Sequence, residues 1–261
     1  MLIGPGHYQN GGDEKLKITV IQPLTTNIER IINMTNKAES DLVIWPEAVT
    51  KFDENVWELV PEKVVIGGFF RQENTNVYTS AINLKTGHYY DKRNLVPFGE
   101  FQPFGSLLKS INNFFNIPNS SLSRGLFNQT KADWSALICW ELVFNETFTR
   151  RVRGTKYIVH ISNDKWYGSS MPAQHLKHAK ARAVESNKWV VRATLDGISQ
   201  IISPRSNESS VILERGEMGS ITHEITLNSQ DTFYIKHGDV PLLIISVLSL
   251  MLGIFFRKYE N

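Results

Sequence analysis

The sequence has a single cysteine, Cys139, among 261 residues. No internal disulfide and no multi-cysteine metal site can form, so this thiol is either an inert core residue or a nucleophile. Charge of one sign is scarce too. Lys+Arg 28 against Asp+Glu 26 leaves a net +2. No basic run is long enough to suggest nucleic acid as a partner. Internal repeats and low-complexity stretches are missing. Residues 1–15, MLIGPGHYQNGGDEK, contain no apolar run. They read as a flexible lead-in, neither a signal peptide nor a transmembrane start. Aromatic residues are not scarce: 14 Phe, 8 Tyr and 6 Trp within a 41% hydrophobic chain exclude disorder and suffice for a real core.

The opposite end has an uncharged run, Val240 to Phe256 (VPLLIISVLSLMLGIFF), followed by Arg257-Lys258. Seventeen helical residues rise about 25 Å, near the short limit for a bilayer, and a core helix is rarely apolar all round. The expectation is a transmembrane helix with a short basic tail over residues 236–261. The two basic residues after it favour a cytoplasmic C-terminus with the bulk of the chain outside. That orientation calls for upstream membrane helices; a cytosolic body on a tail anchor is the alternative.

Between these ends, strand and helix patterns alternate. Leu16–Ile21 (LKITVI) reads as a strand. Thr26 with Glu29 resembles a capping box before a helix carrying Ile28, Ile31, Ile32 and Ala38. Leu42–Trp45, Val64–Phe70, Val77–Leu84 and Ser135–Trp140 read as strands, and Glu141–Arg153 as a helix. Tyr157–Ile161, a helix over Gln174–Lys188, and strands at Trp189–Ala193, Ile198–Ile202, Val211–Leu213 and Ile221–Ile225 complete an α/β layered pattern over residues 16–235.

Three reactive side chains, Glu47, Lys92 and Cys139, each close or follow an apolar, β-prone segment, where open α/β sheets collect their functional groups. A thiol nucleophile needs a base, which a carboxylate can supply, and its oxyanion intermediate is stabilised by an ammonium. A cysteine where strand becomes helix gains thiolate character from the helix N-terminus. A small core hydrophobe remains the open alternative for Cys139. Elsewhere, His175 and His178 suit a solvated or capping role, since no carboxylate pair completes a metal site. Lys177, Lys180 and Lys188 read as a solvated helix face. Asn163-Asp164 with Trp166 either shape a pocket or build an ordinary turn.

Leu42-Val43-Ile44-Trp45-Pro46-Glu47, Asp91 to Glu100 (DKRNLVPFGE) and Ile138-Cys139-Trp140-Glu141 resemble the three signature segments of the nitrilase superfamily, specifically its apolipoprotein N-acyltransferase branch. ISNDKWYG (Ile161–Gly168), Arg182 to Glu185 and Lys236 to Pro241 resemble that branch as well. The likeness runs over roughly residues 16 to 256. It implies an αββα sandwich followed by one C-terminal transmembrane helix. By the same resemblance Glu47 is the general base, Lys92 stabilises the intermediate and Cys139 is the nucleophile, with Glu100 and Glu141 in support. It further implies transfer of an acyl chain from a phospholipid, through a cysteine thioester, to the N-terminal amine of an apolipoprotein. Neither metal nor cofactor is implied, and the place is the bacterial inner membrane with the sandwich on the periplasmic side. Members of this branch carry a membrane domain ahead of the sandwich, a feature this sequence does not display. A non-catalytic remnant and an amidase of the superfamily are the alternative readings.

Overall fold

A computed structural model describes residues 14–52, 56, 62–102, 122–166 and 168–259. Most of the expected lead-in lies outside these residues, as does the side chain of Trp166. Strand β1 (Lys15–Gln22) leads through α1 (Ile28–Asn36) to β2 (Leu42–Ile44), the short β3 (Thr50–Lys51), and the long antiparallel pair β4 (Val64–Glu73) and β5 (Asn76–Asn83). Strand β6 (Tyr89–Asp91) pairs antiparallel with β5. With β11 (Gly219–Thr226) on its far edge, this sheet runs β11-β1-β2-β4-β5-β6. A second sheet runs β10-β9-β8-β7. Its members are β7 (Trp134–Ile138), β8 (Tyr157–Ser162) and β9 (Val190–Thr194), all parallel, with β10 (Gln200–Ile202) antiparallel at the edge.

Alternation along the strands creates the layers. Ile18, Val20 and Ile44 from one sheet, and Ala136, Ile138, Val159 and Ile161 from the other, meet in the central core. Their neighbours Ile21, Val43 and Trp45 turn outward to Ile31 of α1. Leu137 and Ile158 turn outward to the other helical layer: α2 (Asn145–Val152), α3 (Met171–Ser186) and α4 (Phe233–His237). The Trp45 indole N–H donates to Thr35 Oγ1 at 2.8 Å, tying α1 to the sheet without stranding a buried donor. The αββα sandwich expected from the resemblance is therefore the observed arrangement of layers.

Local departures have physical causes. The cap of α1 is Asn27, whose side chain accepts from Arg30 N at 2.9 Å, rather than Thr26. Strand β7 stops at Ile138, and Cys139–Val143 form a five-residue 3₁₀ turn. Helix α2 starts only after Phe144, which is extended. The single expected helix from Glu141 is broken because the Glu141 carboxylate turns back onto the Ile138 amide at 3.0 Å. Val211–Leu213 makes only an isolated bridge between Leu213 and Ser199.

Helix α5 (Val240–Tyr259) carries exposed apolar side chains along its length from Leu242 to Phe256. Among the described residues no helix is long and apolar enough to cross a membrane. The side chains of α5 are described only as far as Phe256. The expected transmembrane helix is thus not met on this measure.

Strand β4 lies against the segment after β2 so closely that one position admits only glycine. A Cβ on Gly68 would stand 2.5 Å from Glu47 Cα and 2.6 Å from the Pro46 carbonyl oxygen. Gly68→Ala is expected to displace Glu47 and to destabilise the fold by about 1–3 kcal/mol, the usual cost of overpacking. Urea unfolding of the variant checks it; an unchanged midpoint would show that the segment moves freely.

Candidate active site

The C-terminal ends of β2, β6, β7 and β8 converge where the two sheets face each other. Each delivers one part of a buried polar cluster. Alternation puts Tyr90 into the central core and Asp91 on the opposite face, so Lys92 follows Tyr90 inward. Asp91 is gripped outside by Arg71 Nε (3.0 Å) and NH2 (2.6 Å) and by Ser80 Oγ (2.5 Å). This bidentate clamp fixes the register from which Lys92 enters.

Lys92 is fully buried, and its ammonium donates to Glu47 Oε1 at 3.2 Å and to Glu100 Oε1 at 2.6 Å. Glu47 is held from the other sheet: its Oε2 accepts the Asn163 amide at 2.9 Å. Glu100 sits in a tight loop that closes on itself, with Glu100 N bonded to Val96 O at 2.9 Å and Phe98 N to Phe101 O at 2.8 Å. Its second oxygen accepts Val96 N at 2.8 Å. The LVPFGE segment therefore folds so that one carboxylate both closes the loop and meets the lysine.

Glu141 is also fully buried, and four donors surround it. Its Oε1 accepts from Tyr90 OH (2.8 Å), Arg93 N (2.8 Å) and Asn94 N (3.1 Å), and its Oε2 from Ile138 N. One side chain thus joins the lysine-bearing segment to the cysteine-bearing turn. Cys139, 4% exposed, opens that turn with φ +53°. Ala48 (φ +53°) and Phe98 (φ +63°) are also left-handed, so three of the six such non-glycine residues among the described ones belong to this cluster or to the segments that carry it.

Burial dominates the electrostatics. It raises Glu47, with Lys92 opposing the rise and Glu100 adding to it. It works against the charge on Lys92, but Glu47, Cys139 and Glu100 together outweigh it and hold that pKa above its ordinary value. Burial and the nearby Glu47 charge push the Cys139 thiol up to about 12, with Lys92 and Ser162 pulling the other way. The expected thiolate-favouring helix end is thereby corrected: the turn is short, and desolvation beside an anion prevails. Lys92 therefore rests as an ammonium and Cys139 as a thiol.

The five residues singled out from the sequence, Glu47, Lys92, Glu100, Cys139 and Glu141, come together here. Others were read differently. His175 is buried and bonds Asp164 Oδ1 at 2.9 Å, so it is neither solvated nor a cap. Lys188 is fully buried against Asp231 at 3.1 Å and is not part of a solvated face. Asp164 is completely buried, beyond what an ordinary turn requires. Among the described residues no group of three or more His, Cys, Asp or Glu is placed to hold a metal.

Lys92→Met leaves the buried Glu47 and the partly buried Glu100 without the ammonium that bridges them. Glu47 then loses its opposing cation and its pKa rises further above the unfolded value. A raised carboxyl pKa gives stability that is complete below the unfolded pKa and is lost as pH rises through the folded one. The variant's deficit against the wild type is expected to be about 3–5 kcal/mol at neutral pH. It should shrink as Glu47 protonates in acid. Denaturant titrations across pH check this; a deficit independent of pH contradicts it.

With the geometry in hand, residues 62–232 match the family model described as carbon-nitrogen hydrolase. The apolipoprotein N-acyltransferase of Shewanella oneidensis is 30% identical over 257 residues, covering 85% of this chain and 49% of that protein. That of Vibrio parahaemolyticus is 31% identical over 282 residues, covering 97% and 55%. The chain spans about half the length of these curated relatives. A solved CN-hydrolase superfamily protein from Xanthomonas campestris shares the fold at a TM-score of 0.55 with 16% identity, covering 82% of this chain and 91% of that one.

Proposed function

From the premise that the chain belongs to the carbon-nitrogen hydrolase family, we propose that it is the acyl-transferring half of an apolipoprotein N-acyltransferase. Its donor is a phospholipid and its acceptor the N-terminal amine of a bacterial lipoprotein. The observation that carries this reading is the buried Lys92 bridging Glu47 and Glu100, coupled electrostatically to Cys139, in a chain similar over most of its length to proteins of that activity.

Glu47 is the general base, Lys92 the electrophilic stabiliser and Cys139 the nucleophile. Because the thiol rests protonated, Glu47 accepts its proton as sulfur attacks the ester carbonyl carbon of the donor. The new C–S bond places negative charge on the carbonyl oxygen, and the fixed Lys92 ammonium stabilises it. The C–O bond to the glycerol then breaks, and Glu47 returns the proton to the departing lysophospholipid oxygen. A thioester remains. The lipoprotein amine attacks that thioester and its excess proton leaves through Glu47. The C–S bond breaks, and Cys139 is restored as a thiol beside an amide product. Glu100 keeps Lys92 aimed while the charge on Glu47 changes, and Glu141 holds the nucleophile turn against the Lys92 segment.

The apolar side chains exposed on α5 support its seat in lipid, with Arg257-Lys258 at the boundary and the sandwich on the periplasmic side of the inner membrane. The segment of residues 236–261 is then the anchor and residues 16–235 the catalytic unit.

The test is intact-protein mass spectrometry of the detergent-solubilised chain after incubation with a diacyl phospholipid. A mass gain of one acyl chain, labile to hydroxylamine and missing in Cys139→Ala, is expected. A folded sample that takes up no acyl group contradicts acyl transfer by this chain alone. Release of ammonia from small amides instead would favour an amidase.

A further inference from the structure

A second buried polar network adjoins Cys139 through its carbonyl oxygen. Asp164, Arg192 and His160 are completely buried, and His175 nearly so. Arg192 sits at the centre. Its NH2 donates to Asp164 Oδ2 at 2.7 Å, its Nε to the Ile198 carbonyl at 2.8 Å, and its NH1 meets His160 Nδ1 at 2.7 Å. A guanidinium has only donors, so His160 Nδ1 must accept and carries no proton. The proton therefore resides on Nε2, which lies 3.0 Å from the carbonyl oxygen of Cys139 and donates to it. Asp164 closes the network: its Oδ1 accepts from Ser162 Oγ at 2.5 Å and meets His175 Nδ1 at 2.9 Å. Ser162 in turn bonds the Cys139 thiol. A Cβ on Gly197 would lie 2.5 Å from Asp164 Oδ2, so the loop after β9 is packed onto this carboxylate.

The carbonyl at the end of this relay belongs to the residue whose backbone is left-handed, at φ +53°. A side-chain-bearing residue stays in that region only when its surroundings hold it there. The rest of the turn is gripped as well: Arg182 Nε donates to the Leu142 carbonyl at 2.7 Å.

We propose that His160, set in its Nε2–H tautomer by the Arg192–Asp164 pair, is a positioning residue that locks Cys139 in its left-handed conformation and so aims the thiol at Glu47 and Lys92. This rests on Cys139 as the nucleophile. It does not depend on which acyl donor or acceptor is used.

Alkylation by iodoacetamide tests it in the 261-residue chain, where the one cysteine makes the signal unambiguous. His160→Leu removes the donor. His160→Gln offers an amide oxygen to Arg192 and an amide N–H to the Cys139 carbonyl. The Leu variant is expected to melt cooperatively yet to alkylate on the order of tenfold more slowly at neutral pH, the size of one lost buried hydrogen bond. The Gln variant should return to within about twofold of wild type. Equal rates in the two variants, whether both normal or both slow, overturn the proposal, because packing alone would then explain the site. Should the Leu variant not fold, nitrogen NMR of His160 in the wild-type chain decides. A proton held on Nε2 between about pH 5 and 9 is expected, and a proton on Nδ1 within that range overturns it. Normal alkylation in a chain that forms no acyl thioester counts against acyl transfer alone and leaves this proposal standing.

Discussion

A lysine ammonium with no exposure to solvent persists in this protein because two carboxylates meet it, at 3.2 Å from Glu47 and 2.6 Å from Glu100. Taking the charges out of water costs several kcal/mol per ion, which only close and well-directed partners offset. Much of the surrounding structure serves those partners. The Arg71–Asp91 clamp sets the strand that delivers Lys92, the self-closing Val96–Phe101 loop delivers Glu100, and the Asn163 amide from the opposite sheet holds Glu47. The cluster joins the two sheets at their carboxyl ends.

The same logic accounts for the strained backbone. Ala48, Phe98 and Cys139 are left-handed without being glycine. Ala48 and Cys139 each adjoin or are a residue of the cluster, and Phe98 lies in the loop that carries Glu100. Such conformations cost about 1 kcal/mol each and are held by dense hydrogen bonding nearby. Glu141, with four donors, and the Arg192 relay to the Cys139 carbonyl supply that bonding. Stability is given up at these positions and regained in the central core between the sheets.

The layers and three members of the cluster, Glu47, Lys92 and Cys139, were legible in the strand pattern itself, whereas Glu100 and Glu141 were reached only through the resemblance of the segments that carry them. Short apolar runs ending in Glu47, Lys92 or Cys139 mark strand ends, and strand ends are where an α/β sheet gathers polar groups. The break between Cys139 and α2 was not legible, since Glu141 reads as a helix-start carboxylate until its partners at Arg93 and Asn94, almost fifty residues away in sequence, are known. His175 and Lys188 misled for a similar reason. Each lies on a helix or at its end among exposed lysines, and only tertiary partners, Asp164 and Asp231, explain their burial. Arg192 and His160 lie inside β-prone runs, where a charged residue gives no sign of which buried group it will meet.

The account turns on where the proton of Cys139 resides before substrate arrives. The thiolate's ultraviolet absorbance, followed against pH in wild type and in Cys139→Ala as the blank, reads it directly. The account predicts no thiolate at neutral pH and a titration approaching about 12. Thiolate already present at neutral pH would contradict it, because a standing thiolate–ammonium pair with Lys92 would leave Glu47 no proton to take.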